Sequence, residues 1–157
     1  CMHPYDLITR NILDRFGQGI TKELEVMKMA CDMDLHTMSY VWNPEDSARL
    51  AKVCDTVVCH AGWTTGGMDG KFSPRTLEDA AKDVQAMCIA AKEANPDIIV
   101  LAHGGPFAEP EDTRFLYEHT DVVGFLGASS IERIPIERAV TNVVKEFKSI
   151  PMKRSKV

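Results

Sequence analysis

Asp97-Ile98-Ile99-Val100-Leu101-Ala102-His103-Gly104-Gly105-Pro106 is an aliphatic run that stops in a histidine and two glycines. Strands covered on both faces read as continuous apolar runs rather than alternating ones, which points to a parallel sheet. Thr56-Val57-Val58-Cys59 has the same character and ends in His60. His36–Trp42 and Asp121–Leu126 are two further short runs rich in strand-forming residues.

Between these runs the apolar spacing changes to that of helices. Ile20, Leu24, Met27 and Cys31 share one face of a helix starting near Thr21. Asn43-Pro44-Glu45-Asp46 is a helix start, with a capping side chain, a first-turn proline and acids at the positive end of the dipole. A long helix is expected from Thr76 to Ala94, opened by Thr76-Leu77-Glu78-Asp79 and stopped by Asn95-Pro96. A shorter one follows Pro110 and ends near His119. The last has Pro135 in its first turn and is expected to bury Ile136, Ala139, Val140, Val143, Val144 and Phe147.

The order is β-α-β-α-β-α-β-α behind one or two leading helices: an α/β protein of four consecutive βα units. An open doubly wound sheet and part of a (βα)8 barrel both fit that order. Every strand ends in a polar segment, mostly glycine-rich, which favours the barrel, because its loops ring one mouth while an open sheet concentrates its site at one switch point. A whole barrel takes about 250 residues, so four units amount to half. One domain is expected over residues 1–150, followed by a short basic tail at 151–157.

The 157 residues are 45% hydrophobic and 26% charged with a net charge of −5. That composition suits a globular chain and speaks against disorder and against non-specific affinity for nucleic acid or anionic lipid. No apolar run approaches the roughly 20 residues of a membrane span. Cys1-Met2-His3-Pro4 has no basic stretch with an apolar core behind it, so no secretory signal is expected. Of the five cysteines, Cys31, Cys54, Cys59 and Cys88 lie in apolar segments, as expected of buried thiols in a reduced, cytoplasmic protein. A metal cluster of Cys54, Cys59 and His60 is disfavoured, because five residues along a strand separate thiols to opposite faces.

The loops carry the candidate chemistry. His60 and His103 end two strands at equivalent positions and are expected to face the mouth, where a neutral imidazole moves protons near pH 7. A hydrogen-bonded structural role is the plainer alternative for each. Thr64, Thr65, Gly66 and Gly67 belong to a long segment running toward Phe72, either a binding loop or a surface excursion. Gly104 and Gly105, with Ser129, Ser130 and Glu132, form either an anion cradle of backbone amides and hydroxyls or a glycine turn and a helix cap at Ser129-x-x-Glu132 spacing. Glu23 and Glu25 sit at alternate helix positions and make a poor acid/base pair.

Gly17-Gln18-Gly19, Glu23-Leu24-Glu25, Ser39-Tyr40-Val41-Trp42, His60-x-Gly62-x-Thr64-Thr65-Gly66-Gly67, His103-Gly104-Gly105-Pro106 and Gly127-Ala128-Ser129-Ser130-Ile131-Glu132-Arg133 occur in that order. Together they resemble the phosphoenolpyruvate-hydrolase-like TIM-barrel family, also described as barrel signal-transduction proteins and similar in fold to the phosphonopyruvate hydrolase group. The resemblance covers about residues 15 to 150 and implies strands five to eight of the barrel. It implies a hydrolase or C–X lyase for a small phosphorylated or carboxylated acid, assisted by Mg²⁺ whose ligands come mainly from the first half. The alternative it implies is a non-catalytic ligand-sensing or signal-transduction module. Four parallel strands leave two bare edges and a bare inner face, so a second copy or the other barrel half is the expected macromolecular partner.

Overall fold

The computed structural model describes residues 7–67 and 75–151. Cys1, Phe72 and the basic tail from Met152 onward lie outside them. The elements run α1 (Leu7–Arg15), α2 (Ile20–Asp32), β1 (Met38–Val41), α3 (Pro44–Leu50), β2 (Thr56–His60), α4 (Leu77–Ala94), β3 (Ile99–His103), α5 (Pro110–His119), β4 (Gly124–Leu126), α6 (Ser129–Glu132) and α7 (Ile134–Ser149). The four strands form one sheet in the order β1-β2-β3-β4, and every pairing is parallel. This is an α/β fold with the arrangement of half a (βα)8 barrel.

The helix starts follow from local chemistry. The Asn43 side chain accepts from the Asp46 N–H at 2.8 Å, and the Thr76 hydroxyl accepts from the Asp79 N–H at 3.1 Å. Each satisfies a donor that the first turn leaves without a helical partner. At α5, Asp112 accepts from the backbone N–H of Glu109 at 2.8 Å, just before Pro110. At α2 the Asp14 carboxylate reaches forward to the Ile20 N–H at 2.9 Å. A side chain at Gly19 would strike Asp14 there.

The strand period divides the sheet into two faces. Val41, Val57, Cys59, Val100 and Ala102 point one way and are fully buried. α3 covers β1 and β2 on that face, α4 covers β2 and β3, and the two helices pack on each other. Leu50, Ala80, Val84, Met87, Cys88 and Ala91 complete this core. The buried Ser47 hydroxyl donates to the Met87 carbonyl at 2.8 Å and joins the two helices.

Behind β1 lies a buried ionic cluster. Arg10 is 1% exposed. Its guanidinium holds Glu23 at 2.8 Å, Asp46 at 3.6 Å and the Tyr40 carbonyl at 3.3 Å. Ser39 donates to the same Glu23 carboxylate. Glu25 instead is exposed and pairs with Lys22, so the two acids serve different surroundings, as their spacing predicted.

One expectation fails. The apolar stripe of α7 is not buried: Ile136, Val140, Val143, Val144 and Phe147 all lie exposed, and only Ile134 of this helix is in the core. The sheet ends at β4, and α7 is held to the body chiefly by its first turns. There Ile134 lies against the backbone of the 62–67 loop, Arg133 pairs with Glu137, and Arg138 pairs with Glu109.

Candidate functional site

His60 and His103 are the last residues of β2 and β3 and are register partners. They sit on the sheet face opposite α3 and α4, at its C-terminal rim. Their rings are 4.7 Å apart and nearly perpendicular. Tyr40 of β1 lies 5.1 Å from each imidazole. Trp42, one residue past β1, stacks on His60 at 3.7 Å and 23°. The four rings form one cluster because Tyr40 and Trp42 follow the same period of two that brings both histidines to this face.

Backbone partners assign the two imidazoles opposite tautomers. The Gly62 N–H can only donate, and it donates to His60 Nδ1 at 3.1 Å. In the neutral ring the proton is therefore on Nε2. The Leu126 carbonyl can only accept, and it lies 2.7 Å from His103 Nδ1. That nitrogen carries the proton, which leaves a lone pair on His103 Nε2. Burial holds His103 below its ordinary pKa, against the opposing pull of the Leu126 carbonyl, so the ring is neutral at pH 7. Burial also raises the Tyr40 hydroxyl, which stays protonated.

The two glycine-bearing loops continue the parallel pairing beyond the strands. Ala61 N–H donates to the His103 carbonyl at 2.9 Å, Gly105 N–H to the Gly62 carbonyl at 2.7 Å and Thr65 N–H to the Gly105 carbonyl at 3.1 Å. Gly104 and Gly105 have φ of 73° and 63°, and a Cβ on either would meet the backbone of Gly62 or Ala61 within 2.7 Å. Only glycine allows this approach. The Gly105 amide is thus engaged by the neighbouring loop rather than turned outward. Gly66 accepts from Arg133 at 3.2 Å, and Gly67 lies against Arg133, Ile134 and Glu137. Arg75 donates to the Ala61 carbonyl at 3.2 Å from the far side of the same loop.

Ser129 and Ser130 open α6, three and four residues beyond the Leu126 carbonyl that His103 holds. The capping box expected of Ser129 and Glu132 does not form. Ala128 takes the cap position, and its carbonyl accepts from the Ile131 and Glu132 N–H groups. Both serines are half-buried and Glu132 is exposed.

The structure therefore joins His60 to His103 and interlocks the 61–67 and 103–105 loops, with α6 one short step further along the rim. Sequence reasoning missed Tyr40 and Trp42 as site residues. Their alternation with Val41 is the available signal, and it is the same in an ordinary strand. Among the described residues no group of three His, Cys, Asp or Glu side chains converges as metal ligands. The Mg²⁺ that the resemblance implies finds no donor set here. Cys54, Cys59 and Cys88 are buried, and burial raises all three thiols, Cys54 to about 12. They are packing residues rather than nucleophiles. No helix among the described residues is long and apolar enough to cross a membrane.

A tomato (Solanum lycopersicum) protein, ToMV susceptible protein tm-1(GCR26), is 40% identical over 145 residues, covering 91% of this chain and 19% of its own length. ToMV resistance protein Tm-1(GCR237) from the same plant is 39% identical over the same span. The protein y4pA of Sinorhizobium fredii is 25% identical over 135 residues, covering 85% of this chain and 22% of its own length. The chain thus spans about a fifth of the length of these relatives. The model of the family described as phosphoenolpyruvate hydrolase-like matches residues 3–150. The chain belongs to the phosphoenolpyruvate hydrolase-like family.

Proposed function

We propose that this chain carries the proton-transfer residues of a barrel enzyme acting on a small phosphorylated or carboxylated three-carbon acid, by hydrolysis or C–X cleavage. The observation that supports this reading is the touching pair of neutral imidazoles, one with a proton and the other with a lone pair on Nε2. A lone pair that takes a proton and an N–H that hydrogen-bonds the developing oxyanion are what such a cleavage needs, and the ends of parallel strands are where such folds hold their catalytic groups. With phosphoenolpyruvate, His103 Nε2 takes a proton from water as the water oxygen bonds to phosphorus. The bond from phosphorus to the enol oxygen breaks and its electron pair stays on that oxygen, to which His60 Nε2–H donates a hydrogen bond. The His103 imidazolium gives its proton to that oxygen, which leaves both rings neutral, and the enol becomes the ketone. Ser129 and Ser130 at the start of α6 would hold the anion. No step is routed through a metal, because the described residues provide no ligand set for one.

The names of the tomato relatives refer to resistance or susceptibility and not to a reaction, which favours a second reading: a ligand-sensing barrel that uses the same pocket without turnover. One experiment separates the two. Phosphoenolpyruvate and phosphonopyruvate are titrated calorimetrically into the full-length protein, with and without Mg²⁺, and turnover is followed in His60→Asn and His103→Asn. The enzyme reading expects binding to survive while the rate falls by about 10²–10⁴ in either variant. Binding without turnover in the unaltered protein supports sensing, and no binding under any condition removes both.

A further inference from the structure

Trp42 turns the flat of its indole to His60, with ring centroids 3.7 Å apart and planes 23° from parallel. His103 and Tyr40 meet the same imidazole edge-on, at 79° and 67°. The Gly62 N–H bonds Nδ1 at 3.1 Å. That bond sets the tautomer but not the plane of the ring, because the outer torsion of a histidine is broad. A flat face at van der Waals distance removes that freedom. The indole nitrogen takes no part in the contact: Trp42 Nε1 is buried and has no hydrogen-bond acceptor among the described residues. What Trp42 brings to the rim is its face.

That face stands on the scaffold rather than on a loose loop. Val41 before it is sealed in the core. Asn43 after it caps α3, accepting from the Asp46 N–H at 2.8 Å and donating to the Asp46 carboxylate at 3.0 Å. On the other strand end, a Cβ at Gly104 would stand 3.2 Å from His60 Cε1, so the imidazole lies in a narrow slot. We propose that Trp42 is a positioning residue for His60: its face fixes the imidazole plane, and with it the direction in which Nε2–H points. The role rests on the reading of His60 as hydrogen-bond donor to the departing enol oxygen. A donor that meets a developing oxyanion works best when it is fixed beforehand, and a displacement of about 1 Å costs on the order of 10²-fold in rate. The anion is held further along the rim, at Ser129 and Ser130, so loss of the face falls on kcat and spares binding.

The test compares Trp42→Leu, which removes the flat face, with Trp42→Phe, which keeps one, in the full-length protein. Turnover of phosphoenolpyruvate, its Kd by calorimetry and amide hydrogen exchange of the 60–67 segment by mass spectrometry are read together. In Trp42→Leu, kcat should fall by about 10- to 100-fold with Kd within about twofold. One further amide, that of Gly62, should exchange fast, because its acceptor is the ring set loose. Trp42→Phe should stay within about threefold of the unaltered protein and keep Gly62 protected. An equal loss of kcat in both variants overturns the proposal, since the face is then not what matters. So does a weakened Kd at unchanged kcat, which would make Trp42 a binding residue. Fast exchange that spreads to Ala61 and Thr65, whose amides bond backbone carbonyls, overturns it as well, by showing a general loosening of the loop. Absence of turnover in the unaltered protein removes the catalytic reading of His60, whereas Gly62 exchange that Trp42→Leu leaves unchanged overturns the role of Trp42 alone.

Discussion

The two faces of the four-stranded sheet have the same backbone and opposite chemistry. On one, Val41, Val57, Cys59, Val100 and Ala102 are sealed from water beneath α3 and α4. On the other, Met38 and Ile99 remain 40% and 43% exposed, and the rim is taken by Tyr40, Trp42, His60 and His103. Strand geometry sends alternate side chains to each, so a single four- or five-residue segment serves packing and chemistry at once. The helix-covered face holds the molecule together. The rim holds two titratable rings in fixed tautomers, which a dry aliphatic layer could not do, because imidazoles need the backbone partners that only strand ends and loops leave available.

This division can be broken most sharply behind β1. Arg10→Ala leaves Glu23 and Asp46 without their buried partner, each with only about a tenth of its side chain exposed. Losing one member of a buried ionic cluster costs about 3–5 kcal/mol, so urea denaturation should show a large fall in stability. The rim is expected to tolerate change better. Gly105→Ala forces a φ of 63° on a residue with a Cβ and presses it against the Ala61 carbonyl. The expected cost is about 1–3 kcal/mol, read by the same denaturation. A loss equal to that of Arg10→Ala would erase the distinction between the faces.

The smallest effect is a pH dependence. Burial lowers the pKa of His103 from its ordinary 6.5. As pH falls through 6.5 the unfolded chain takes up a proton that the folded chain refuses, so the contribution of this ring to stability is whole above 6.5 and declines below it. The decline should be absent in His103→Asn. A stability profile that is unchanged by that substitution would mean the ring is not held in the dry setting described for it.

Much of this arrangement is legible in the sequence, and the reason differs by element. β2 and β3 stand out because a strand covered on one side by helices and partly enclosed on the other has no polar positions to interrupt it. His60 and His103 are legible because each closes such a run. Tyr40 and Trp42 are not, because an aromatic at alternate strand positions looks the same whether it packs in a core or lines a rim. Arg10 is hidden for the opposite reason: a single arginine in a helix of mixed polarity reads as a surface residue, and its acids come from helices 13 and 36 positions away. The spacing in α7 announces an apolar stripe but not what lies against it, which is why the stripe looked buried. Gly104 and Gly105 are ambiguous in principle, since a ligand cradle and a close backbone crossing demand the same left-handed conformation.

The stacking of Trp42 on His60 gives the protein an optical reporter of its own. An imidazolium quenches the emission of an adjacent indole far more than a neutral imidazole does, so the fluorescence of Trp42 follows the charge on His60. Trp63, the other tryptophan, is exposed, and Trp63→Phe would leave a single-indole signal. The surroundings of that ring can then be watched during turnover or ligand capture without a label.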